Sequence, residues 1–253
     1  MPDARESEGC AFCHIKPESE FSGIWHLAAG RWHSIEAIFG IFGIMPPTLP
    51  TRAEALDLVH EYTASESLRK HVLAVEAAMR AYAEHYGEDP ERWGLAGLIH
   101  DFDYERFPNA AHSPTEEHPS SGVKILREKG WPEDILQAIL GHAAYCNVPR
   151  ETKLAQALFA VDELTGLITA TALVKPTKSV HDVDAQSVLK KMKKKEFARG
   201  VSREDVLLGA QELGVDLEQH IQFVIDAMRR SAEAIGLAGV AAPAPSVAGE
   251  TAS

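Results

Sequence analysis

From Thr51 onward, apolar residues recur at three- and four-residue intervals, the spacing of one face of a helix. No run alternates with period two, and β-branched clusters are few, so the middle of the chain reads as all-α. Thr51-Arg52-Ala53-Glu54 is a capping-box signature that opens a helix to about Tyr62. Ser65 or Ser67 can cap a longer helix, SLRKHVLAVEAAMRAYAEHY, closed by Gly87. Helical segments follow at PERWGLAGLIHD, PSSGVKILREKG, PEDILQAILGHAAYC and ETKLAQALFAVDELTGLITATALV, then near 183–195, 202–213 and 216–236. The two ends differ from this middle. Residues 1–50 mix Gly, Trp, His and Pro without period and read as an irregular extension, and 238–253 read as a disordered tail of small residues and Pro.

Polar residues that interrupt apolar helix faces carry the chemistry. His71 lies at the edge of the face made by Leu68, Val72, Val75 and Met79. Ile135, Ile139, His142 and Cys146 share a second face, and Ala155, Phe159, Asp162 and Gly166 a third. His100-Asp101 closes the apolar run Leu95–Ile99. A buried aspartate costs several kcal/mol unless it is paired or ligated. Four such intrusions on separate segments point to one common centre. Imidazoles and carboxylates without cysteine suit one or two divalent transition-metal ions, Mn, Fe, Co, Ni or Zn, rather than a purely structural zinc site. His118, ahead of Pro119, offers a further imidazole, and His112 in the same loop competes with it.

In order, His71, His100-Asp101, His118, His142 and Asp162 resemble the H…HD…H…H…D signature of the HD-domain superfamily of metal-dependent phosphohydrolases, with gaps of 29, 17, 24 and 20 residues. LAGLIHD and HPSSGVKIL are similar to the segments that carry its HD pair and its third histidine. The resemblance covers about 65–170, within a helical domain expected over 51–237: a single HD-domain bundle with additional C-terminal helices. It implies that His71, His100, Asp101 and Asp162 hold one metal, and that His118 and His142 hold a second with Asp101 bridging. Where many members read HD-x-G-K, this chain reads HDFDY, so no role for that lysine carries over.

The implied reaction is hydrolysis of a nucleotide or other small phosphate ester by metal-activated water. Asp101, Asp103 and Glu105 are the candidate catalytic residues, the last two as orienters or proton carriers. Lys175, Lys178 and Arg106 are candidate phosphate-binding cations. Two alternatives stay open: a di-iron oxygenase on the same scaffold, and a non-catalytic regulatory module.

Charge and composition refine this only at the margins. A net charge of −12 argues against nucleic acid as the main partner, and no apolar run reaches the length of a membrane helix. A small phosphorylated substrate is the expected partner, and a homo-oligomer is compatible with it. The start, MPDARESEGC, lacks a basic segment followed by an apolar one, and three cysteines make no disulfide framework, so a cytoplasmic setting is expected. Cys10-Ala-Phe-Cys13-His14 matches the haem-attachment pattern C-x-x-C-H, but attachment requires export and the match is read as chance. The gaps from these residues to His26 and His33 fit no standard zinc finger.

Overall fold

The computed structural model describes residues 49–240, all within one unit, Pro47–Ser253. The expectations for Cys10, Cys13, His14, His26 and His33, and for most of the C-terminal tail, lie outside the described residues. Those described form nine α-helices and no extended sheet. They are α1 (Arg52–Tyr62), α2 (Glu66–Tyr86), α3 (Pro90–Ile99), α4 (Ser120–Glu128), α5 (Glu133–His142), α6 (Lys153–Leu173), α7 (Ala185–Met192), α8 (Arg203–Leu213) and α9 (Leu217–Arg230). No helix among them is long and apolar enough to cross a membrane.

Local chemistry sets most of the boundaries. Thr51 and Glu54 form the reciprocal capping box, a device that typically contributes about 1 kcal/mol. Ser65, not Ser67, caps α2, and Gly87 ends it at φ 72°, where a side chain would be strained. Pro90 occupies the first turn of α3 behind the cap Asp89.

Three elements end earlier than periodicity suggests. Helix α5 stops at His142 because its ring Nδ1–H donates to the Ile139 carbonyl, the acceptor that the next helical amide would use. Ala144–Cys146 then form a separate turn of 3₁₀ helix, so Cys146 is not on the α5 face. Helix α7 ends at Met192, ahead of Lys193, Lys194 and Lys195. Helix α9 ends at Arg230, and residues 231–236 turn back instead of continuing it. Residues 238–240, expected to begin the tail, pair with the loop after α6: Ala238 bridges Ser179, and the Val240 amide donates to the Thr177 carbonyl.

Helix α6 is the axis of the bundle. Most of its residues are buried, and α2, α5, α7, α8 and α9 all pack on it. Gly209 lets α8 come close, since a Cβ there would stand 2.6 Å from the Ala160 Cα. Helix α2 packs most extensively on α3. There the buried Glu76 carboxylate is held by Arg52 and Arg80, which satisfies a charge that would otherwise be costly. One buried histidine ties three helices: the Tyr82 hydroxyl of α2 meets His220 Nδ1 of α9, and His220 Nε2–H donates to the Ala160 carbonyl of α6 at 3.0 Å. Through these contacts α2, α5 and α6, with the turn after α3, bring their polar intruders to one place.

Candidate metal centre

Four imidazoles and two carboxylates converge. His71 comes from α2, His142 from the last residue of α5, and Asp162 from the middle of α6. His100 and Asp101 follow the end of α3, and His118 precedes α4. Two groups can each enclose a cation: His71, His100, Asp101 and Asp162, and Asp101, His118 and His142, with donor atoms within 4.8 Å of one another. Asp101 belongs to both. Its Oδ1 lies 3.2 Å from His118 Nε2, 3.4 Å from His100 Nε2 and 3.5 Å from His142 Nε2. Asp162 Oδ1 lies 3.0 Å from His71 Nε2 and 3.4 Å from His100 Nε2.

The hydrogen bonds behind the rings decide which nitrogen faces the centre. His100 Nδ1–H donates to the Gly97 carbonyl at 2.8 Å, and His142 Nδ1–H to the Ile139 carbonyl. His118 Nδ1–H donates to the Asp103 carboxylate at 2.7 Å. Each ring is thereby held in the tautomer that leaves an Nε2 lone pair pointing inward, the arrangement by which proteins aim histidines at metals. His100 Nε2 is buried without a hydrogen-bond partner. His118 and His142 face each other Nε2 to Nε2 at 3.2 Å, which is repulsive for two lone pairs unless a cation or a proton lies between them. An orphaned nitrogen, opposed lone pairs and a shared carboxylate fit divalent cations.

Electrostatics point the same way. Burial by itself would lower the His100 pKa, but the charges of Asp101 and Asp162 outweigh it and raise it to about 9. For His118, burial is likewise overcome by Asp101 and Asp103, and the pKa rises to about 10. Burial opposes ionisation of Asp101 and Asp162, yet the surrounding imidazoles hold both far below the usual carboxylate range. The carboxylates thus attract positive charge strongly, whether carried by protons or by metal ions.

The remaining expected site residues are spread more widely. Asp103 is buried; besides orienting His118, its second oxygen accepts from the Gly122 amide at 2.7 Å. A Cβ on Gly122 would stand 2.5 Å from the Asp103 carboxyl carbon, so only glycine admits this contact. The Glu105 carboxylate accepts the Ala64 and Ser65 amides at the start of α2. The Arg106 guanidinium lies 3.7 Å over the Tyr62 ring and donates to the Glu61 carbonyl, away from the ligands. Lys175 and Lys178 follow α6, whose end is eleven residues beyond Asp162. At the rise of an α-helix that is about 16 Å along the axis.

A recess of about 440 Å³ opens over the ligands, and its wall includes residues that periodicity did not single out: Tyr104, Asn109, Tyr145, Glu163 and Asp205. Burial, and next to it the Asp162 charge, raises the Glu163 pKa to about 7. Glu163 adjoins Asp162 in sequence, but nothing local marks it as inward-facing. Asp205 arrives only through the packing of α8 on α6. His112 also lines this recess, with its backbone at φ 52°, while His118 is the one turned onto the ligands.

Fold and site together define an all-α domain built around a histidine–aspartate centre suited to divalent cations. The family model of the HD domain matches residues 68–167, in agreement with the resemblance read from the sequence. No solved structure matches the chain.

Proposed function

We propose that this protein is a metal-dependent phosphohydrolase acting on a nucleotide or other small phosphate ester. The observation that carries the reading is Asp101, one carboxylate common to both ligand groups, 3.2–3.5 Å from three inward-facing imidazole nitrogens. In the proposed arrangement His71, His100, Asp101 and Asp162 hold one divalent ion, and Asp101, His118 and His142 a second. Bound there, such ions supply Lewis-acid polarisation of a phosphoryl oxygen and a more acidic water. The protein's own part is positional. Asp103, fixed by Gly122, keeps His118 in the tautomer that ligates. Gly97 and Ile139 do the same for His100 and His142 through backbone carbonyls. Asn109 and His112 at the mouth of the recess offer side-chain donors to phosphoryl oxygens.

The test is elemental analysis of protein purified with and without air, followed by a screen of phosphate esters. Hydrolysis that a chelator abolishes and added divalent metal restores is the expected result. Iron with oxygen consumption and no hydrolysis would replace this reading with the oxygenase.

A further inference from the structure

The recess over the ligands continues into a second one of about 740 Å³, and the two share His71, Tyr104 and Gly166. Their chemistries differ. The first is walled by imidazoles and the carboxylates of Asp101, Asp162, Glu163 and Asp205, with no lysine or arginine among the described residues. The second is chiefly apolar, formed by Leu68, Ala170, Leu173, Ile235 and Leu237. Leu173 keeps 49% of its surface exposed beside it, which leaves apolar area that a ligand could cover. The second recess has one lysine or arginine among the described residues, Lys70, which pairs with Glu66 at 2.7 Å. Glu105, also on its wall, is already engaged by two backbone amides. Gly166 at the junction carries no side chain, and the nearest atom to where its Cβ would stand is on Val201, at 3.5 Å.

We infer that the substrate is a phosphate ester with a single phosphoryl group on an apolar body, the phosphoryl at the cation centre and the body in the adjoining apolar recess. This rests on the phosphohydrolase reading and narrows it. A nucleoside di- or triphosphate would set further negative charge beside Glu163 and Asp205, with no lysine or arginine among the described residues lining that recess to meet it. An apolar body gains from every methylene it removes from water, and a recess of this size is in the range of small-molecule sites.

The test is calorimetric affinity of the full-length, Mn²⁺-loaded protein for methyl, butyl and octyl phosphate, with ATP as comparator. Affinity is expected to rise by roughly two- to fourfold per methylene buried, and octyl phosphate to bind tighter than ATP. Ala170→Trp, which fills the apolar recess, and Leu173→Asn, at a half-exposed position that leaves folding intact, should each collapse the octyl-to-methyl ratio. Thermal melts confirm that both variants are folded. A series that is flat in the wild type, a ratio unchanged in both folded variants, or preference for ATP overturns the inference. Octyl phosphate bound through the recess but never cleaved supports the placement of phosphoryl and apolar body, and overturns the phosphohydrolase reading on which their role as substrate rests. Turnover of phosphate esters with a flat series does the reverse.

Discussion

His100 and His220 are both buried histidines, at 0% and 1% exposure, yet they do opposite things with their ring nitrogens. His220 has both satisfied inside the protein, accepting from Tyr82 and donating to Ala160, and it clamps α2, α6 and α9 together. His100 has one satisfied by Gly97, while the other is buried without a partner and faces Asp101 and Asp162. Burial alone therefore does not mark a ligand. An unsatisfied nitrogen held in place by a satisfied one is what fits a ligand, because its lone pair is oriented with no donor to meet it.

The contrast breaks most sharply at the shared carboxylate. Asp101→Ala should empty both ligand groups and reduce metal content to near background, with hydrolysis falling beyond the roughly 10–100-fold that loss of an outer partner costs. Metal retained with activity intact would show that the centre is misassigned. One step outward, Asp103→Asn leaves a single oxygen where His118 and Gly122 now use two. Metal affinity should fall about 10–100-fold while the fold persists. Gly122→Ala should act in the same direction by displacing Asp103. Metal titration against a fluorescent competitor reads both variants.

What was legible in the chain follows the same division. The caps at Thr51, Ser65 and Gly87 could be read because each acts within four residues of its partner. The six residues that converge on the candidate centre could be read because each is a polar residue placed where its helix or loop should be apolar, in a recognisable order. His220 breaks the apolar face of α9 in the same way, and only its two hydrogen bonds, to residues 138 and 60 positions away, separate it from a ligand. The choice between His118 and His112 needed Asp103, which turns one ring inward. Asp205 was illegible because its place depends on the close approach of Gly209 to Ala160. The apolar recess was hidden for a related reason: Ile235 and Leu237 reach it through the turn at Gly236, φ 71°, where periodicity continued a helix.

Variants of the clamp should move stability without moving metal. His220→Leu strands the Tyr82 hydroxyl, costing about 1–3 kcal/mol, and removes a second hydrogen bond from the Ala160 carbonyl, which α6 already pairs, with metal content unchanged. His220→Gln, which can both accept and donate, should recover part of that loss. The clamp also carries a pH signature. Burial lowers the His220 pKa in the folded protein, so below the unfolded value of about 6.5 the unfolded chain takes up a proton that the native one refuses. Its contribution is complete above about 6.5 and declines as pH falls toward the folded pKa. Denaturant unfolding between pH 7.5 and 5 should therefore show a shallower loss in His220→Gln than in the wild type, and equal slopes would mean that His220 does not titrate as placed.

The smallest effect is expected where the chain most suggested phosphate binding. Lys175 and Lys178 lie beyond the end of α6, about 16 Å of helix from Asp162, and neither lines the recess over the ligands. At that separation, through solvent, their charges are largely screened at physiological salt, where the Debye length is about 8 Å. The double variant Lys175→Ala/Lys178→Ala should keep kcat/KM within about twofold at 0.15 M salt, with any deficit growing only as salt is lowered, the mark of long-range steering rather than contact. A salt-independent loss of tenfold or more would instead place an ammonium on the substrate and bring the loop after α6 into the site.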